Sequence, residues 1–549
     1  MVHYIEYFNR FSCLDENSST QTLTRADATS RRILRRLHQR DHLTLTRGKM
    51  RRRLAALAPF VRSGVDYVMS APSTSAPVRC RAFTSSFTSV DESLKSLVNH
   101  EKSGVPRGAG TNTDAGFDLG RMHRLLHDFG DPHTGYNTIH VSGTKGKGTT
   151  VSVLASVLRA AGLKVGTYKS PHVYTVAERI RTSDGNNDES DALLGVLNKV
   201  GSLIEGAQQR ECGQLSYFEV LTALAFTYFK HVEVDIAIVE VGLGGSRDAT
   251  NVLRPENLEA AVITHIGEEH LDALGGSIET IVEAKAGIAH KGRPVFYAPN
   301  VDDRVSTLLA SALDAQGAND IRNVRAESRL IGYATEGSTM LQELDIDVWL
   351  DDKPEFRLSN VRVPLIGPHQ RENINTCLRL LCWLRANGRL NVSVDDIRVG
   401  LESTHSPGNF EVFTRPEGSI LIADGAHTNG SAKVLIQSLN EVYPNRKFVF
   451  VVAMADDKDH RGFLRELYAA KPVSVYCTQI NVAGDAMRTT RANVLASAHD
   501  SSSSQTEPII DSVFDTALSN ALERAEDDGA IVVVTGSLYT FTALQKALF

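Results

Sequence analysis

The chain has 549 residues, 42% hydrophobic and 23% charged, with a formal net charge of -6. That length exceeds one ordinary core and predicts two domains with additions; the mild acidity offers no whole-protein attraction to nucleic acid or anionic lipid. No apolar run reaches the ~18 residues that span a bilayer, and the six cysteines are scattered without a CxxC, which argues against a disulfide scaffold or a cysteine-zinc site.

Residues 1–110 read as a disordered leader. Arg31, Arg32, Arg35, Arg36, Arg40, Arg51, Arg52 and Arg53 cluster there, and from Met50 to Ser89 the only acid is Asp66. An Arg- and Ser-rich, acid-poor stretch of this kind predicts an organelle presequence, directed to the mitochondrial matrix. A plastid or cytoplasmic location, with a merely basic tail, is the alternative. Upstream of Met50 the segment contains Glu6, Asp15, Glu16, Asp27 and Asp41, so Met50 is a candidate start and residues 1–49 a candidate artefact of gene prediction.

The globular pattern begins after a polar stretch. Ile139–Val141 is a predicted strand, Lys147–Ala161 a helix with Val151, Leu154 and Leu158 on its apolar face, and Leu163–Tyr168 a second strand. Tyr217–His231 is a strongly apolar helix. Asp235–Val241 is a nearly continuous apolar run, as central parallel strands are. Strands at Ala260–Ile266 and Pro294–Ala298 flank a helix at Ile278–Ala289. This alternation predicts an α/β fold with a mostly parallel sheet covered on both faces, spanning 111–406. Beyond the turn-rich HSPGN, strands at Ile420–Ala423, Phe448–Ala453, Val473–Cys477 and Ile531–Thr535 predict a smaller Rossmann-like α/β domain over 407–549. The serine run at 501–505 reads as a surface loop.

Between the first strand and its helix lies SGTKGKGTT. It is not a standard P-loop: Val141 stands where the first glycine belongs, and Gly148 separates Lys147 from Thr149. The context is nevertheless that of an anion site. A helix N-terminus offers free N–H groups, glycines let phosphate oxygens approach, and Lys147 can neutralise outer phosphates. Thr149 can offer a hydroxyl to Mg²⁺. Glu240 ends an apolar strand at the edge where such sheets bind ligands. His270 follows another strand, and Lys285 interrupts an apolar helix. Taken singly, a histidine there is as compatible with a structural role, and such a lysine with a snorkelling surface residue.

Together these segments resemble the dihydrofolate synthase and folylpolyglutamate synthase family, relatives of the muramyl ligases. The resemblance rests on GTKGKGT (Gly143–Thr149), SPH (Ser170–His172), SYFE (Ser216–Glu219) and EVGLGGSRDATNV (Glu240–Val252). It continues through GEEHLDALGG (Gly267–Gly276), AKAGI (Ala284–Ile288), GPHQRENI (Gly367–Ile374), DGAH (Asp424–His427), DDKD (Asp456–Asp459) and TGS (Thr535–Ser537). Within the family, GEEHLDALGGSIETIVEAKAGI looks most like the monofunctional dihydrofolate synthases of plants. The resemblance implies a Mur-ligase-like ATP-binding domain followed by a glutamate ligase domain. It implies an ATP-dependent ligase that activates a carboxylate as acyl phosphate and joins it to L-glutamate. The expected acid is 7,8-dihydropteroate; addition of γ-linked glutamates to folates is the alternative.

The resemblance also assigns residues. Gly143, Thr144, Lys145, Gly146, Lys147, Gly148, Thr149 and Thr150, with Asn373, Asp424 and His427, are expected to bind ATP. Thr149, Ser170, Glu240 and His270 are expected to hold two Mg²⁺ ions, and a K⁺ ion is also compatible. Lys147, His270 and a CO₂-carbamylated Lys285 are expected in catalysis. Phe218, Asp248 and Ala249 are expected against the pterin, although Phe218 could equally pack a helix core. A monomer with no nucleic-acid or membrane partner is expected. Asn409 stands where the family has an arginine that reaches ATP phosphate, and Arg371 or Arg415 are candidates to replace it. DGAHTNG, GGSRDATN and AKAGI also depart from the family's DGAHNP, GGRLDATN and EKAGI. A ligase for cell-wall precursors and a nucleotide binder that has lost catalysis remain competing readings.

Overall fold

The computed structural model describes residues 89–172, 175–182, 189–299, 302–337, 339–415, 418–481, 488–499 and 506–548. The presequence and the serine run lie outside them. Strands β1 (Asn137–Ser142), β2 (Val165–Tyr168), β3 (Ile180–Arg181), β4 (Ile236–Glu240), β5 (Leu258–Ile263), β6 (Pro294–Tyr297) and β7 (Asn319–Asp320) form one sheet. Their order is β3-β2-β4-β1-β5-β6-β7, and all neighbours are parallel except β3 against β2.

The sheet is buried on both faces, which is why its central strands lack polar alternation. Ile236 and Ile238 point to one side, into a core shared with Val151 and Val157 of helix Lys147–Ala160. Ala237 and Val239 point to the other, against Val220, Phe226 and Phe229 of helix Tyr217–His231. Several boundaries differ from expectation, most by one or two residues, and two of the larger shifts have a visible cause. β5 ends at Ile263, because beyond it the His265 carbonyl turns to accept the Thr144 N–H at 2.8 Å. The helix after it ends at Ala286, where Gly287 takes the cap.

The expected leader boundary at residue 110 also moves. Helices Val90–Leu94 and His100–Ser103 precede it, and Val90, Leu94 and Leu97 sit in the core that holds Phe226. Val90 and Leu94, four apart, share one face of the first helix, and Leu97 follows in the turn beyond it. Val98 then bridges to Ser216, and its carbonyl accepts the Tyr217 N–H at 2.8 Å.

The antiparallel sheet β8 (Val324–Glu336), β9 (Thr339–Leu350) and β10 (Lys353–Val363) was not expected from the sequence. It packs on helix Pro368–Ala386. The C-terminal sheet holds β11 (Glu411–Thr414), β12 (Ile420–Ala423), β13 (Phe448–Val452), β14 (Ser474–Cys477), β15 (Ile509–Ile510) and β16 (Ile531–Thr535). Its order is β11-β12-β16-β13-β14-β15, parallel apart from edge strand β11. No helix among the described residues is long and apolar enough to cross a membrane.

Candidate active site

The carboxyl ends of β1, β2, β4 and β5 all open into one cleft of about 2610 Å³, walled on its far side by the C-terminal domain. This is where ligands of such sheets bind. At the end of β1 the chain turns through Gly143 (φ 142°) and Gly146 (φ 89°) into helix Lys147–Ala160. A Cβ on Gly143 would lie 1.8 Å from Thr264 Oγ1, and one on Gly146 would lie 2.3 Å from Asn373 Oδ1. Both positions therefore need glycine, for the left-handed φ as well as for the close approach. The Asn373 contact places that residue directly against the loop.

The loop is braced by its neighbours. Thr144 Oγ1 donates to the Gly267 carbonyl at 3.0 Å. Lys147 Nζ donates to the carbonyls of Gly143 and Thr144 at 3.2 and 3.4 Å, and lies 4.0 Å from Glu240 Oε1. Glu240 is buried; Ser170 N approaches its Oε2 at 3.4 Å, and burial raises its pKa against the pull of Lys147 and Lys169. Thr149, Ser170, Glu240 and His270 all reach the cleft wall. His270 adopts φ 54°, the left-handed region, in which strained side chains often serve a site. Burial lowers its pKa to about 4.

Lys145 makes the contact between domains. Its Nζ donates to Glu269 Oε1 at 2.9 Å and lies 3.2 Å from His427 Nε2. His427 Nδ1 lies 2.8 Å from the Gly425 carbonyl and donates there, while Nε2 faces both Lys145 and Glu269 Oε1, the latter at 3.4 Å. Asp424 is a structural brace on the same wall: its carboxylate accepts the N–H groups of Phe410 and Ala426, each at 2.9 Å.

Phe218, Asp248 and Ala249 line the same cleft. Phe218 is half-buried and belongs both to the packing of its helix and to the cleft wall. It packs on Tyr168 with ring centroids 5.9 Å apart, fills the space above Gly242, and still presents a face to the cavity. Asp248 is buried and accepts from Leu243 N at 2.8 Å and from Thr250.

Three expected site residues lie behind the loop, away from the cleft wall: Gly143, Thr150 and Lys285. Lys285 is 4% exposed, so the snorkelling alternative fails. Its Nζ donates to the Gly143 carbonyl at 2.8 Å, and burial, followed by repulsion from Lys147, lowers its pKa to about 7. Arg371 does not replace the missing family arginine. It pairs with Glu441 at 2.9 Å and points away from the cleft. Asn409 lines the cleft but bonds locally to Ser406 and Pro407. The cations that share the wall with it are Lys458 and Arg488.

Several cleft residues were missed. Glu269 lay beside His270 in a quoted motif, and its pairing with Lys145 and His427 had no sequence signal. Glu101 gave none either. Its carboxylate grips buried Arg179 through two bonds of 2.6 Å, and its carbonyl accepts from Arg488 of the C-terminal domain.

A phosphate-type loop, a buried carboxylate beside it and a second domain closing over both define a two-domain nucleotide-dependent ligase of the Mur type. Residues 141–381 match the Mur ligase middle domain, and 408–538 the Mur ligase glutamate ligase domain. The chain is 30% identical over 435 residues to the dihydrofolate synthase/folylpolyglutamate synthase of Bacillus subtilis, covering 78% of this chain and 94% of that protein. It is 26% identical to a probable dihydrofolate synthetase of Schizosaccharomyces pombe, covering 78% and 98%. Folylpolyglutamate synthase of Mycobacterium tuberculosis complexed with ADP superposes with a TM-score of 0.66 at 27% identity, covering 78% and 94%. An FPGS–AMPPCP–folate complex gives 0.64 at 27%, covering 82% and 100%. The chain belongs to the dihydrofolate synthase/folylpolyglutamate synthase family, and it is an ATP-dependent ligase that forms amide bonds.

Proposed function

We propose that the protein is a dihydrofolate synthase, joining 7,8-dihydropteroate to L-glutamate with conversion of ATP to ADP and phosphate. The observation that carries this reading is the cleft that Lys147 and Glu240 share with Phe218, Asp248 and Ala249. The carboxylate oxygen of the pteroate attacks the γ-phosphorus of ATP, and ADP leaves. The glutamate amine then attacks the acyl carbon, loses a proton, and expels phosphate. Both anions must meet, so cations have to offset their repulsion. Lys145 and Lys147 supply two from the loop, and Lys458 and Arg488 face them from the second domain. Phe218 offers its ring to the pterin face, and Asp248 an acceptor to its amino-pyrimidine edge.

The donors fit Mg²⁺ carried by a nucleotide. Glu240 presents a buried carboxylate within reach of Lys147, with Thr149 and Ser170 hydroxyls on the same wall. Among the described residues no three His, Cys, Asp or Glu cluster as a self-sufficient metal site, and Mg²⁺ bound with phosphates needs only one or two carboxylates. When bound, the ion would screen phosphate charge there, with His270 on the same wall. Lys285 carbamylation is part of this proposal. The reaction with CO₂ requires the neutral amine and releases a proton, and burial supplies that neutral form.

Extension of folates by further glutamates is the second reading, favoured by relatives whose names carry that activity. ADP release separates the two. Dihydropteroate, glutamate and ATP together should give turnover; turnover with dihydrofolate and none with dihydropteroate would replace the first reading by the second.

A further inference from the structure

Behind the cleft, Asp248 is held by a chain of hydrogen bonds that reaches the central strand. Thr250 Oγ1 lies 2.6 Å from Asp248 Oδ1, a length typical of a hydroxyl donating to a carboxylate. His140 Nε2 lies 2.8 Å from the same Thr250 oxygen. A threonine hydroxyl has one hydrogen. Since that hydrogen goes to the carboxylate, Nε2 of His140 must carry the proton and donate it to Thr250. Nδ1 is then a bare acceptor, and it is the ring atom that has no partner. His140 is fully buried on β1, and burial keeps its imidazole neutral, with a pKa of about 3. Thr250 is equally buried. The polarity of the chain therefore runs one way, His140 to Thr250 to Asp248, and ends in a carboxyl group that accepts at both oxygens.

We propose that His140 and Thr250 are positioning residues that hold the Asp248 carboxylate aimed into the cleft, and that they set affinity for the aromatic acid substrate through it. The inference rests on the reading of Asp248 as pterin-facing. Burial alone favours the protonated acid at this site, and the Thr250 hydroxyl works against it, alongside the N–H groups of Thr250, Leu243 and Gly242. With the hydroxyl gone, the carboxylate loses its shortest bond and is held by the backbone N–H groups alone. Neither His140 nor Thr250 lies on the cleft wall, so neither touches substrate. Their effect has to pass through Asp248.

The test compares Thr250→Val with Thr250→Ser. Thr250→Val should raise the KM for dihydropteroate about tenfold, as loss of a bond to a charged group would, and leave the KM for ATP within about twofold. Thr250→Ser, which keeps the hydroxyl, should restore the wild-type value. His140→Phe, which keeps ring volume and the Thr250 bond to Asp248, should give a smaller rise of the same selectivity. It also decides the matter if Thr250→Val does not fold. Thermal stabilisation by MgATP should persist in each folded variant, whereas stabilisation by dihydropteroate should fall. An unchanged dihydropteroate KM, or equal losses for ATP and dihydropteroate, would overturn the proposal. If the wild-type enzyme itself does not respond to dihydropteroate, the pterin reading of Asp248 is what has failed, and the relay falls with it.

Discussion

Lys285 Nζ donates a 2.8 Å hydrogen bond to the carbonyl of Gly143, so the buried lysine of one helix supports the phosphate loop from behind. A carbamate nitrogen keeps one N–H and can still make that bond, which makes the modification compatible with the brace. Lys285→Ala should lower kcat by roughly a hundredfold or more, the scale of losing a preorganised charge near transferring phosphate. Short carboxylic acids should restore part of it. Absence of any rescue would count against the carbamate.

The same residue predicts a pH dependence. Its folded-state pKa of about 7 lies below the ordinary lysine value of 10.5. The folded chain therefore binds fewer protons than the unfolded chain between those values, and this group's contribution to stability rises with pH across that window. The neutral amine grows as pH rises through about 7, so at a fixed concentration of dissolved CO₂ the reactivation of CO₂-depleted enzyme should be faster at pH 8 than at pH 6. Equal reactivation rates would argue that the amine is not the reacting form.

Lys147→Ala should remove ADP release almost completely, by roughly a hundred- to thousandfold in kcat, with little change in melting temperature. The side chain bonds only to loop carbonyls and approaches Glu240 at 4.0 Å. A variant that keeps its ADP release would mean that this loop does not hold the transferred phosphate.

Asn409→Arg should lower the KM for ATP several-fold, since the exposed position lines the cleft and now bonds only to Ser406 and Pro407. An unchanged KM would show that Lys458 and Arg488 already supply the needed charge.

Glu101→Gln should destabilise the protein by about 1–3 kcal/mol, the range for unpairing a buried guanidinium when one partner keeps solvent contact. Arg179 is 1% exposed, whereas the Glu101 side chain is 34% exposed. Burial pushes the Glu101 pKa up, but the Arg179 bonds and charge prevail and hold it below 4.5. Its stabilisation is therefore present above that value and lost as pH falls through the folded-state pKa. Chemical denaturation at pH 7 and at pH 4 should show the difference between wild type and variant shrinking with acid.

The parallel sheets were legible because their strands are buried on both faces and read as unbroken apolar runs; Ile420–Ala423 and Ile531–Thr535 match to the residue. The β8–β10 sheet was not, because only part of each strand is covered. β8 is polar or half-exposed along most of its length, and its stability comes from helix Pro368–Ala386 beneath it. The loop, Glu240, Ser170, His270, Asn373 and His427 were found because each belongs to a short local pattern. Glu101 and Arg488 were not, because their roles come from pairings across great lengths of chain. The Lys285 burial sits between these cases: its position was readable, its neutral-leaning amine only in three dimensions.

Residues 99–105 lie ahead of the segment that matches the Mur ligase middle domain, yet they line the cleft and tie Arg179 to Arg488. A recombinant protein begun at residue 110 would lose one shore of the cleft, strip Val90, Leu94 and Leu97 from the core, and leave Arg179 buried without its carboxylate. It would be destabilised as well as weak, since an unpaired buried guanidinium is costly.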